Sequence, residues 1–197
     1  MMKRSSKVNI IFFVLIAVMS LLYGYHKSSQ YGPYSMHHWR QSDCLSIALN
    51  YYEKNSGFFQ PEINWTNIDG KQKVVSEFPA IYYTVAQLWK MFGKEEIIFR
   101  LLNLSIMIFG FFHLFLLGKR LLVNEFWAGF VVLFLFTSPL LAFYANNFLS
   151  NAPAFGLVLI AWYYMYLFYA EKKSIGFIIG TLFFLLAGML KITALLS

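Results

Sequence analysis

Apolar residues in this chain come in long runs with few polar interruptions, at positions 8–23, 97–118, 126–144, 149–169 and from 175 onward. Each approaches the roughly 20 residues that a helix needs to cross a bilayer core about 30 Å thick. The stretch from about 26 to 96 between the first two runs is more polar. Within it, 43–55 has the spacing of a short amphipathic helix, with Leu45, Ile47, Ala48, Leu49 and Tyr52 as its apolar contacts. Asn55-Ser56-Gly57 ends that helix. Asp69-Gly70 is a type I′ hairpin signal, because both central positions of that turn need positive φ. The apolar segment 78–92 is short for a span, and Gln87, Lys90 and the flanking Glu77 give it a wet edge. It reads as a helix lying in the interface.

Charge supports this division. Of 197 residues, 59% are hydrophobic and 13% charged, where a soluble domain carries about a quarter charged. The net charge of +7 is dispersed in small groups between the runs, which argues against a nucleic-acid partner. With 78–92 in the interface, Lys3, Arg4 and Lys7 share the cytoplasm with Lys119-Arg120 and Lys172-Lys173. No small-x-small cleavage site follows the first run, so it stays attached. The expected fold is all-α and multi-spanning. About five transmembrane helices carry an extracytoplasmic loop, 26–96, with interfacial helices and a small hairpin. The N-terminus is cytoplasmic, the location is the cell (inner) membrane, and no soluble domain is expected. The single cysteine, Cys44, allows no intrachain disulfide. The sequence stops at Ser197 inside an apolar run, as the front part of a longer protein would.

The densest chemistry is His37-His38-Trp39-Arg40-Gln41-Ser42-Asp43, just after the first span. Asp43 is a candidate general base; equally, it has the residue type that caps a following helix. Arg40 suits a phosphate through its planar fork, or pairs with Asp43. Trp39 serves as an interface anchor or a sugar-stacking platform, and Gln41 lies between them. A divalent metal on Glu77 and His38 is the cofactor considered. Adjacent His37 and His38 point different ways and do not share one ion. Asn151 reads as the cap of a spanning helix with Pro153 in its first turn. Lys191 lies roughly 25 Å along its helix from Ser174, near the outer surface. These residues, with Glu77 and Arg100, fall at the extracytoplasmic ends of the spans, where costly polar groups mark a site.

Taken in order, the motifs resemble a known family. Asp43 is followed by the hairpin, Glu77-Phe78-Pro79, Ile81-Tyr82-Tyr83, Phe92-Gly93 and Phe99-Arg100-Leu101. Then come Gly118-Lys119-Arg120-Leu121, Thr137-Ser138-Pro139-Leu140, Asn151-Ala152-Pro153 and Leu190-Lys191. From about residue 35 onward this resembles the GT-C membrane glycosyltransferases of the protein-mannosyltransferase and aminoarabinose-transferase type. The resemblance implies transfer of a sugar from a polyprenyl-phosphate carrier to an acceptor lipid, glycan or protein outside the cytoplasm. It implies that Asp43 is catalytic. The family's Glu before proline falls on Glu77 and its lysine late in the fifth span on Lys191; with Lys191, the chemistry of Trp39, Arg40, Gln41, Arg100 and Asn151 makes them the expected substrate-binding residues. Two departures stand out: Asn151 where many members carry Asp, and Cys44 where a second acidic residue often follows. The alternative is a non-catalytic lipid-sugar carrier, flippase or envelope-assembly scaffold.

Overall fold

A computed structural model describes residues 2–64 and 77–196; the expected Asp69-Gly70 hairpin lies outside them. Among the described residues the secondary structure is helical: α1 (Met2–Leu22), α2 (Tyr25–Ser28), α3 (His38–Lys54), α4 (Ala80–Phe92), α5 (Glu96–Leu121), α6 (Glu125–Phe136), α7 (Pro139–Ala145), α8 (Asn151–Glu171) and α9 (Ser174–Leu190). A short 3-10 turn, Ile192–Leu196, follows.

Two helices, α5 and α8, are long and apolar enough to cross a membrane, and α6 with α7 makes a third if the bent pair is one span. The apolar part of α1, Lys7–Leu22, and α9 are shorter. The expected continuous helix over 126–144 is not continuous: α6 and α7 meet at 76°. Pro139 has no N–H to donate and pushes the preceding residue out of the helical region. Ser138 accordingly has φ −58° and ψ 123°.

The bundle is held by close backbone approach, as expected where lipid removes the hydrophobic gain between helices. A Cβ on Gly156 would stand 2.7 Å from the carbonyl oxygen of Ile106, so α8 lies almost directly against α5. Gly176 brings α9 onto α8 in the same way, 2.7 Å from the Tyr164 carbonyl. At one end of the bundle Arg120 and Lys173 both pair with Glu171, and Lys119 pairs with Glu125 at 2.9 Å.

At the other end lies a layer made of α3 and α4. Helix α3 starts at His38, earlier than the expected 43–55, after left-handed residues at Ser35 and His37. No Gly or Pro interrupts 38–54, so nothing delays the helix until Asp43. Asp43 therefore sits in the second turn and does not cap. Asn55, with φ 53°, closes α3 in the left-handed conformation that Asn tolerates. Helix α4 buries Ile81, Tyr82, Val85, Ala86 and Trp89 on one face. Its 13 residues rise about 20 Å, short of a bilayer core. That face joins Cys44, Ile47, Ala48 and Tyr51 of α3, Phe99 of α5, and Phe148 and Leu149 in one apolar core.

Candidate functional site

Glu77 lies just ahead of α4, where α3, α4, α8 and α9 converge. Its Oε1 accepts from Lys191 Nζ at 2.6 Å and faces Arg40 Nη2 at 3.4 Å. Its Oε2 accepts from Ser150 Oγ at 2.6 Å and from Tyr82 O–H at 3.2 Å. One oxygen thus takes two cations and the other two hydroxyls. Each partner comes from a different element: Arg40 from α3, Tyr82 from α4, Ser150 from the start of α8, and Lys191 from the end of α9. A backbone bond from Phe78 N–H to the Met189 carbonyl, 3.3 Å, ties the same strip to α9.

Burial alone would raise the Glu77 carboxyl. Hydrogen bonds from Lys191 and Ser150 and the neighbouring cations more than offset it, and Glu77 titrates below its ordinary range. Asp43 behaves oppositely. Burial raises its carboxyl and Arg40, 3.9 Å away, only partly counters that. Behind Glu77, Tyr82 O–H meets the buried Cys44 Sγ at 3.3 Å. Burial pushes that thiol up to about 11, so it is held as an unreactive S–H.

Arg40, Glu77 and Lys191 line a cleft of about 240 Å³ with His37, Trp39, Tyr144, Leu149 and Asn151. Trp39 stands 60% exposed at its rim, and His37 lies 6.4 Å from Tyr144, ring to ring. Both cations keep about 30% of their side chains accessible, so donors remain for an incoming anion. The cleft therefore offers two cations fixed on a common carboxylate, beside aromatic faces. Such a constellation can take an anionic group and steady negative charge that develops on it.

The sequence-predicted residues divide. Arg40, Trp39, Glu77, Asn151 and Lys191 come together in the cleft. Asp43 lies beside it, on Arg40. Asn151 is the first residue of α8 and not its cap, since Ser150 holds that position and turns its hydroxyl to Glu77. Gln41 is fully buried and donates to the Tyr34 and Met36 carbonyls, each at 3.0 Å, fixing the loop that precedes α3. Arg100 is also fully buried; it donates to the carbonyls of Asn146, Tyr31 and Gly32 and lies over the Phe148 ring. With Asn103, which donates to the Asn147 and Leu149 carbonyls, it holds the backbone leading into α8. Gln41 and Arg100 thus shape the walls of the site and do not line it.

The metal expectation on Glu77 and His38 does not fit this donor set. The Glu77 oxygens face two cations and two hydroxyl donors, and His38 Nδ1 faces its own loop at the Ser35 carbonyl, 3.3 Å. Among the described residues no three His, Cys, Asp or Glu side chains gather as ligands. Ser150 and Tyr144 were not singled out from the sequence; Tyr82 was, as part of the aromatic run of 78–92, but it is buried and its hydroxyl turns to Glu77. Comparison with family models, with curated proteins and with solved structures finds no match to this chain.

Proposed function

We propose that the protein is a membrane glycosyltransferase of the GT-C type, moving a sugar from a polyprenyl-phosphate carrier to an acceptor at the extracytoplasmic surface. One observation carries the reading: Arg40 and Lys191, remote in sequence, are fixed on Glu77 at a cleft beside the ends of apolar helices. The order of motifs along the chain supports it. In this reading α1 and α9 cross as short spans and α6 with α7 as one bent span, giving five. The basic end with Lys119 and Lys172 is cytoplasmic, and α4 lies in the outer interface.

The carrier phosphate enters the cleft and takes the free donors of Arg40 and Lys191. Asp43 accepts the proton of the acceptor hydroxyl as its oxygen bonds to the anomeric carbon. The bond from that carbon to the phosphate oxygen breaks, and the electron pair leaves with the phosphate. The two cations stabilise that growing charge. Trp39 offers its face to the sugar at the rim.

The test supplies a radiolabelled polyprenyl-phosphate sugar to the protein in liposomes and follows label into acceptor. Asp43→Asn should lower transfer by about 10²–10⁴-fold, the usual worth of a positioned base, with the helical spectrum unchanged. Normal turnover by Asp43→Asn refutes the assignment. Label that crosses the bilayer without entering acceptor makes the protein a carrier.

A further inference from the structure

At the end of the bundle opposite the cleft, α1 and α6 stand apart over a groove of about 320 Å³. Phe12 and Leu15 of α1 and Phe126, Phe130 and Leu133 of α6 line it. Residues 126–133 run about 10 Å along the α6 axis, most of one leaflet's share of a roughly 30 Å hydrocarbon core. A slot of this size takes a single hydrocarbon chain; a second copy of the protein would need about 1,000 Å² of buried contact.

The mouth of the groove is charged. Glu125 lines it and is paired with Lys119 at 2.9 Å, whose ammonium lies over the Phe115 ring. Lys7 is exposed beside the lining residue Val8 and makes no ion pair among the described residues. Lys7 and Lys119 against Glu125 leave one positive charge in excess. An acyl chain leaving bilayer hydrocarbon for an apolar groove gains almost no hydrophobic energy. Discrimination among lipids must therefore come from the headgroup, and this mouth favours a negative one.

We infer that the groove between α1 and α6 is a binding site for one anionic phospholipid, an acyl chain between the helices and the headgroup phosphate at Lys7 and Lys119. This assignment is independent of the glycosyltransferase reading. The site differs from ordinary boundary lipid in having a defined slot, a defined mouth and one occupant.

The experiment reconstitutes the protein with about equal amounts of phosphatidylglycerol and phosphatidylcholine and measures retained lipid by native mass spectrometry. One phosphatidylglycerol should be retained over phosphatidylcholine, roughly five-fold for each basic side chain at the surface. Lys7→Gln and Lys119→Gln should each lower the preference by about that factor. Gly129→Leu should abolish retention by filling the slot. A Cβ at Gly129 meets only the Phe115 ring edge, at 3.9 Å, so the added side chain grows into the groove and not into backbone. Equal retention of both lipids, or several lipids with no headgroup preference, overturns the inference. So does undiminished retention in a helical Gly129→Leu protein. If that variant fails to fold, a photoreactive acyl chain on the unaltered protein decides. Adducts confined to 8–15 and 126–133 support the site; adducts spread over all outer faces overturn it.

Discussion

Glu77→Gln should loosen the junction of α3, α4, α8 and α9 by about 2 kcal/mol, as the contacts it alters show. The amide keeps the shape of the carboxylate and still offers one oxygen to Ser150 and Tyr82. Its NH₂ group, however, faces the donors of Lys191 and Arg40. A charge-assisted hydrogen bond contributes about 1.5–3 kcal/mol when well buried. The Lys191 contact is short, 2.6 Å, but its side chain is 30% accessible and the Glu77 side chain 18%. Solvent screening brings that contact to about 1.5 kcal/mol, and the longer, equally accessible Arg40 contact adds about 0.5.

Cys44 makes this measurable. It is the only cysteine, 1% exposed, and bonded to Tyr82, which itself bonds to Glu77. A maleimide reaches it only when the junction opens, so the labelling rate reports the population of the open state. A loss of about 2 kcal/mol raises that rate about 30-fold. Lys191→Met should raise it about 10-fold, and the double variant should fall short of the product of the two because both remove the same contact. Labelling of Glu77→Gln within two-fold of the unaltered protein would refute the role given to this carboxylate. Strict multiplicativity in the double variant would show that Lys191 and Glu77 act separately.

Other outcomes follow from the same structure. Asp43 must be ionised to accept a proton, and burial raises its carboxyl above the ordinary range; kcat/KM for transfer should therefore rise with pH along a limb above the usual Asp value of about 3.9. Arg40→Gln removes the partial offset and should move that limb to higher pH; a limb that stays or moves down contradicts the pairing. Glu77 is depressed in the folded state, so its contribution is full above the unfolded value of about 4.3 and lost as pH falls through its lower folded value; Cys44 labelling should stay slow until then. Gly156→Leu forces a side chain against the Ile106 carbonyl and should cost about 3 kcal/mol or more, seen as a lowered melting temperature in detergent. In a Cys44→Ala background, an impermeant reagent added outside should label Trp39→Cys and not Lys119→Cys; the reverse pattern inverts the topology.

What the sequence disclosed and what it withheld separate by range. Run length and the residues at run ends located the helices, because a helix is a local object. The same locality explains the miss at 126–144: hydropathy passes smoothly over Ser138-Pro139, although the missing N–H of Pro139 was in plain sight. Arg40 and Asp43 sit three apart on one helix, so their pairing was open to spacing arguments once the helix began early enough. Nothing of that kind joins Glu77 to Lys191, 114 positions on, or to Ser150, 73 positions on. Lys191 was reached through its unusual place at the end of an apolar helix; Ser150 had no such mark. Gln41 and Arg100 show the converse. A polar side chain amid apolar residues looks the same whether it waits for a ligand or holds a carbonyl, and only the folded chain shows that theirs hold loop carbonyls. Even so, their work bears on the cleft. Arg100 and Asn103 fix residues 146–149, which set where Ser150 begins α8, and Ser150 in turn fixes the oxygen of Glu77 that the two cations leave free. The buried polar residues thus aim the carboxylate, and the carboxylate aims the cations. Removing any one of these supports should disturb the cleft before it disturbs the helices.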